Sequence, residues 1–408
     1  MPYPKGLRYR FARAAFSGIL ILISALPAAA QSAWTRNTAL KKFTVDDTWG
    51  TGWSRSGSRL ACDKQNTVFI ALGDSLLMGE SHGRSWKTAN LAAAHSFGSH
   101  PALAVGANGS IMWGNTVSPD HGSTWAARTG SQSAYITSAA VTANGNLLAG
   151  GSYDHIDMSP DLGKTWSTVH TGKTFGNIVD MVCAPDGWAV AAPYSDVLLA
   201  SRDNGKTWAT VDSLTGSGPY VQTQAQVLAY GTGTNSVWGF SRPFNTKGSL
   251  VEIGRYAAAI TKVTHEVGAG FPDSAITALQ VTPPSYPLGQ TILVASWGQG
   301  VFSSIDLGKT WTARNAGLAD LHVEALVVSD DGVVHALTKD GFFSLGSGTG
   351  IRTGAAMRHS MGPGTTRAST LLFGNGSEVS NPVGNLFRAD GRAARIPSTD
   401  QRPIVGAP

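Results

Sequence analysis

The sequence predicts an all-β fold, and three observations carry the prediction. Of 408 residues, 49 are Gly, 12 are Trp and only 14% are charged. Long solvated helices and coiled coils need charged faces, whereas abundant Gly, Ser and Thr suit short strands joined by tight turns. A hydrophobic share of 42% supplies a sizeable core and excludes disorder as the dominant state. Third, Ser-x-Asp-x-Gly-x-Thr-Trp occurs four times, at Ser118 to Trp125, Ser159 to Trp166, Ser201 to Trp208 and Ser304 to Trp311. A fifth copy, Gly79 to Trp86, keeps Gly83, Ser85 and Trp86 but has Ser81 where the Asp should be.

Residues 1–30 carry Lys5, Arg8, Arg10 and Arg13 with no acid, then an apolar run from Ala14 to Leu26 and the small residues Ala28, Ala29 and Ala30 before Gln31. This order of cationic, apolar and small residues predicts a signal peptide. A membrane anchor is the alternative, but the apolar run falls short of the ~20 residues that span a bilayer. The mature chain is therefore expected to be secreted or periplasmic and not membrane-spanning. Cys62 and Cys183 would meet an oxidising compartment, where a disulfide is an option.

The formal net charge of +5 suggests a nucleic-acid binder only until the charges are placed. The leader holds four cations, and residues 347–408 hold seven Arg against three acids; residues 31–346 keep 20 cations and 23 acids, a net of −3. No nucleic-acid partner is expected.

The Trp residues closing the five copies stand at 86, 125, 166, 208 and 311, spaced 39, 41, 42 and 103. A period near ~40 predicts a β-propeller, and the long gap one repeat that lost its motif and gained an insertion. Within each motif the Asp accepts bonds from nearby backbone N–H groups and the Gly supplies a positive φ, which makes a turn. Upstream lie turns and apolar runs, as in Asn144-Gly145 before Leu147 to Gly150 and Pro185-Asp186-Gly187 before Trp188 to Ala191. The order strand, turn, strand, link, strand, motif, strand gives four strands per repeat.

The motif resembles the Asp-box (BNR) repeat of the sialidase-like propeller superfamily, which includes sialidases, xyloglucan-cleaving hydrolases, sortilin-type receptor ectodomains and the photosystem II assembly factor. The resemblance implies that the box is a structural corner at the blade rim. Asp120, Gly122 and Trp125, Asp161, Gly163 and Trp166, Asp203, Gly205 and Trp208, and Asp306, Gly308 and Trp311 are accordingly expected to be structural. Reading the four Asp as metal ligands or catalytic acids fails, because one copy per blade spreads them around the ring.

Seven blades are expected, with six or eight left open by the motif-less fifth: Thr44 to Trp86, His95 to Trp125, Tyr135 to Trp166, Phe175 to Trp208, Gln224 to Val267, Pro272 to Trp311, and Leu321 to Gly346 with three strands. Trp34 to Leu40 parallels Trp311 to Leu318, which predicts that the N-terminus completes the seventh blade and removes its open edge. Cys62 and Cys183 fall 24 and 25 residues before their box Trp, at similar innermost-strand positions of blades across the ring, so two buried free thiols are expected. The expected domains are a signal peptide (1–30), the propeller (31–346) and a Gly/Arg/Ser/Pro-rich extension (347–408), in which Asn375-Gly376-Ser377 matches a glycosylation acceptor.

Catalysis finds little purchase. A sialidase needs three converging Arg, a Tyr activated by Glu and an Asp acid; the family's Arg-Ile-Pro occurs here only as Arg395-Ile396-Pro397 in the extension, and Arg55, Arg59, Arg242 and Arg255 show no convergence. Asp46, Asp47, Asp154, Asp157, Asp196, Glu252 and Asp273 lie in or near loops, but no spacing selects the carboxylate pair a glycoside hydrolase requires. Of the seven Trp outside the motifs, Trp113 and Trp188 sit in apolar strands and Trp34 in the closing segment, while Trp49, Trp53 and Trp297 sit among Gly and polar residues. Their rings either stack on a ligand or wedge between blades. No Cys/His cluster has metal spacing and no Gly-rich loop has phosphate-binding form, so no metal and no cofactor is expected. The expected function is an exported monomeric propeller binding a protein or glycan on its central face, with a secreted glycoside hydrolase as the alternative.

Overall fold

A computed structural model describes residues 33–40, 59–72, 75–89, 102–128, 136–172, 176–193, 197–213, 224–231, 235–242, 248–256, 259–284, 286 and 289–346. Trp49, Trp53, Arg55, Asp46, Asp47 and Asp196, the leader and the C-terminal extension lie outside them. The described strands form seven antiparallel four-stranded sheets. Six use consecutive strands, for example Ile136–Val141, Leu147–Gly151, Ile156–Ser159 and Ser167–His170 in blade three. The first strand of every blade touches the first strand of the next, and the seventh returns to the first, so the sheets make a closed seven-bladed β-propeller with the first strands innermost. The motif-less fifth blade, Gln224–Gly231 to Ala259–Glu266, joins its third and fourth strands by a hairpin from Tyr256↔Ala259 to Ser249↔Glu266.

No blade buries a core of its own. Buried apolar side chains fall into seven clusters, each shared by two adjacent blades. Between blades three and four, Leu148, Ile156 and Met158 meet Ile178, Met181, Ala189 and Leu199. A single sheet cannot hide both faces, so each blade is stable only between two others. The box Trp residues take part in this sharing: Trp125 packs with Phe69 and Leu76 of blade one, Trp166 with Met112 and Val117 of blade two, and Trp311 with Trp238 and Leu250 of blade five. The rings thus face the preceding blade, a direction that periodicity alone does not carry.

Ring closure follows the predicted route. Thr35–Arg36 pairs with the third strand of blade seven through Thr35↔Ser344 and Arg36↔Phe343. Trp34 is buried among residues of blades six and seven, with its Nε1–H donating to Arg314 O (2.5 Å) and its N–H to Ala316 O (2.8 Å). Asn37 then enters the corner of blade one, accepting from Trp86 Nε1 (3.3 Å) and donating to Gly83 O (2.7 Å). In the four complete boxes the Trp donates to its own Gly carbonyl, as Trp166 does to Gly163 (3.1 Å); here the closing segment is inserted into that bond.

In blades three, four, six and seven the inner strand carries a bulge at its second residue, and bonds near these bulges cross between blades. Thr137 Oγ1 donates to Ile178 O (2.7 Å) and Thr277 Oγ1 to Val323 O (2.7 Å), each reaching the next blade. Glu324 of blade seven pairs with Arg59 of blade one at 3.5 Å. Asp180 accepts from its neighbour Met181 N (2.9 Å) and from Leu228 N of blade five (2.8 Å). Burial pushes the Asp180 carboxyl up to about 7 against the pull of those two N–H groups. Cys62 and Cys183 each end a first strand, in blades one and four; both are free thiols as expected but only partly buried at the strand end, and desolvation chiefly pushes them up to about 12.

Two outcomes follow. Trp34→Ala, which empties a buried site at the closure, is expected to lower unfolding stability by about 3–5 kcal/mol in urea titration. For Asp180, the folded carboxyl is protonated up to about pH 7 while the unfolded one ionises near ~4. Its contribution is complete below ~4 and is lost as pH rises through 7. The stability advantage of wild type over Asp180→Asn should therefore shrink from pH 5 to pH 8 in parallel thermal melts; a constant gap would contradict the assignment.

Candidate functional site

Antiparallel order divides the connections between two faces. Turns from first to second strand share one face with the Ser-x-Asp-x-Gly-x-Thr-Trp corners, which join third to fourth strand. Turns from second to third strand and the links between blades share the other. They are called here the corner face and the loop face.

At the corner face the four boxes repeat one set of bonds. Ser118 Oγ donates to Asp120 Oδ1 (2.9 Å) and accepts from Gly122 N (2.8 Å). Asp120 accepts from Thr124 N (2.8 Å) and Thr124 Oγ1 (2.7 Å), and Trp125 Nε1 donates to Gly122 O (3.1 Å). The same bonds recur around Asp161, Asp203 and Asp306. The Thr310 bonds hold Asp306 at about 2, and the equivalent bonds set Asp120, Asp161 and Asp203 below the usual carboxylate range, in Asp203 against an opposing push from burial. Each box Gly has a positive φ and lies against the preceding blade: a methyl on Gly122 would sit 2.5 Å from Met78 Sδ, and one on Gly308 2.7 Å from Leu250 Cδ1. These carboxylates spend their lone pairs on their own corner, which leaves them poorly suited to hold a ligand or move a proton.

The loop face carries the half-buried Trp297, in the turn between Ile292–Ser296 and Gly300–Ser304 of blade six. Gly298 and Gly300 both take positive φ and allow that tight turn. Trp297 bridges to His322, which leads into blade seven; its N–H donates to Ala275 O (2.9 Å), and its ring meets the His322 ring edge-on at 4.9 Å. Lys339, from the corresponding turn of blade seven, places its Nζ 5.6 Å from the Trp297 ring. Asp320 Oδ1 lies 2.7 Å from His322 Nδ1, and Gln299 Nε2 donates to Asp273 Oδ1 (2.5 Å). Arg36 of the closing strand donates to Asp340 O (2.5 Å) and pairs with its carboxylate (3.3 Å), which fixes the turn bearing Lys339. The result is an aromatic ring, an imidazole, a cation, an amide and two carboxylates within one inter-blade corner. Trp297 wedges between blades six and seven and is only partly buried there.

The equivalent corner of blade three differs. Ser152 bridges to Asn177, and the following Tyr153 and Asp154 both adopt left-handed backbone, φ 60° and 53°. Tyr153 is 55% exposed, whereas Asp154 is buried between Gly172 and Gly176. The other predicted carboxylates serve separate contacts. Asp157 forms a buried ion pair with Arg128 (2.8 Å) and accepts from Thr168 Oγ1 (2.8 Å), and Glu252 pairs with His265 (3.2 Å), whose ring stacks on Trp238. Arg59 is held by Glu324. Trp113, Trp188 and Trp238 are fully buried. Among the described residues, no group of three His, Cys, Asp or Glu is placed to hold a metal ion, and no helix is long and apolar enough to cross a membrane.

Sequence reasoning missed His322 and Lys339. Neither stands in a motif, and only their positions just before blade seven's first strand and just after its second could have marked them.

No family model matches the chain, and no curated protein matches it. Solved structures do. A catalytically inactive virginiamycin B lyase from Staphylococcus aureus with quinupristin is 9% identical, with a TM-score of 0.54, covering 76% of this chain and 98% of that one. YCF48 bound to D1 peptide is 12% identical, with a TM-score of 0.52, covering 78% and 98%. The extracellular domain of the putative hybrid two component system BT4673 from B. thetaiotaomicron is 12% identical, with a TM-score of 0.50, covering 74% of this chain and 39% of that one. At such identities the likeness is one of fold, and it agrees with the closed β-propeller built by the described strands.

Proposed function

We propose that the chain is an exported Asp-box propeller of the sialidase-like superfamily that binds a protein or glycan at its loop face, around Trp297, without catalysis. The family reading is supported by the four boxes, alike in sequence and in the bonds from Ser to Asp, from Gly and Thr to Ser and Asp, and from Trp to Gly. The export reading rests on the cationic, apolar and small-residue leader and assigns the mature chain to the periplasm or the exterior.

The observation that carries the binding reading is the Trp297 corner. An aromatic ring flanked by His322, Lys339, Gln299 and Asp273 combines apolar area with convergent polar groups, the composition of a recognition site. Propellers of similar fold hold a D1 peptide in one case and quinupristin in another, so the architecture suits ligands of either kind. Against hydrolysis, Asp157, Glu252 and Asp273 are each engaged by a different partner and make no acid and nucleophile pair.

Wild type and Trp297→Ala, probed side by side on peptide and polysaccharide arrays, test the reading. Removing a central aromatic anchor should weaken the captured ligand about tenfold or more, measured at a temperature where both proteins are folded, since the same ring also packs between blades six and seven. Equal binding by both proteins would move the site away from Trp297. New reducing ends or released sugar from polysaccharides and sialosides would overturn the non-catalytic reading.

A further inference from the structure

The junction between blades seven and one differs from the other six. It contains the gap between chain ends that the closing strand bridges, and its corner is the one whose box has lost the Asp. Four polar side chains cross it in a row. Asp331 Oδ2 lies 3.0 Å from His82 Nε2, His82 Nδ1 lies 3.1 Å from His335 Nε2, and His335 Nδ1 lies 2.8 Å from Ser344 Oγ. Asp331, His335 and Ser344 belong to blade seven, whereas His82 is one of three consecutive left-handed residues (φ 62°) in blade one's corner, with Ser81 and Gly83. The rings form a ladder: His82 stacks on His335 (5.2 Å), His335 on Phe342 (5.2 Å), and Trp86 of blade one meets Phe342 edge-on (5.5 Å).

We propose that this row is an acid-sensitive latch: protonation of both imidazoles separates the corner of blade one and the closing strand from blade seven, opening the ring at its chain gap.

Proton counting gives the reason. With both rings neutral every bond has one donor: Ser344 O–H to His335 Nδ1, His335 Nε2–H to His82 Nδ1, His82 Nε2–H to Asp331, and Ser329 O–H to the other oxygen of Asp331 (2.6 Å). One added proton is accommodated. His335 moves its hydrogen to Nδ1, facing Ser344 Oγ, and His82 donates from both nitrogens. A second proton sets N–H against N–H across 3.1 Å, with His335 fully buried.

The described charged and titratable groups around the row do not relieve that clash. Asp330 shares a turn with Asp331, and Cys62 and Asp63 face that turn from blade one. Glu80 of the corner is engaged by Lys87 (3.0 Å), Asp63 approaches His121 (3.5 Å), and Arg59 is held by Glu324 deeper in the seam. Arg84 follows the corner and adds positive charge. Burial and His82 push His335 down to about 3, against the pull of Asp331. Burial, the largest single influence, raises Asp331, but the Ser329, His82 and Val333 bonds with the His82 charge together outweigh it and set the carboxyl below its ordinary range. Both shifts have the same sign: closure is fully favoured above ~6.5, where the His of an open seam is neutral, and is lost as pH falls toward 3.

Hydrogen–deuterium exchange of the full chain at pH 7.5 and 5.0, corrected for intrinsic rates, tests the latch. At 1.5 units below the open-state value of ~6.5, residues 34–40 and 334–345 should lose protection about thirtyfold, while residues 147–159 of blade three change little. His335→Phe, which keeps the ladder but cannot titrate, should abolish the difference between the two pH values. If that variant does not fold, imidazole C2 deuteration of the wild type reads the same point: His335 should titrate together with the loss of seam protection. Protection unchanged at pH 5.0, loosening spread evenly around the ring, or both imidazoles protonated in a closed seam would overturn the proposal.

Discussion

Each blade of this ring depends on its neighbours for a core. The seven apolar clusters are all shared across blade boundaries, and the box corners lean on the preceding blade through a glycine that leaves no room for a methyl and a Trp that fills the space beside it. An open sheet at either end would expose half of a shared core. Closure is therefore a condition of stability, and the devices at the closure, Trp34 under Arg314 and Asn37 inside the corner of blade one, are the sites where a small local change has the widest effect.

That dependence also divides the molecule between its two faces. The corner face is occupied by repeated structural bonds, and the box carboxylates have little capacity left for anything else. The loop face is set by turns and links that no repeat constrains, so side chains there can vary without disturbing a shared core. Trp297, His322 and Lys339 occupy such positions, held from below by the bridge between blades six and seven and from the side by Arg36. The same strand that closes the ring thus steadies one wall of the candidate site.

Much of the architecture was legible in the residues. Box spacing marked the period, the apolar runs marked the second and third strands, and the likeness of Trp34–Leu40 to Trp311–Leu318 marked the closing strand. The fifth blade was legible in its extent, Gln224 to Val267, but not in its individual strands, because its third and fourth strands meet in a plain hairpin where the others have a corner. The site was less legible. Trp297 stood out as an aromatic among glycines, but His322 and Lys339 are single residues in turns whose proximity depends on how two blades meet. His82 was hidden for the same reason: it lies about 250 residues from His335 and Asp331 along the chain and becomes their neighbour only when the ring closes.

Closure can be tested by removing and resupplying the closing segment. A chain lacking residues 1–40 can be melted alone and with a synthetic peptide of residues 31–40. If the shared cores require the closing strand, the shortened chain melts earlier and over a broader range, and the peptide restores a single sharp transition. Melting of the shortened chain at the temperature of the full chain, unaffected by the peptide, would contradict it.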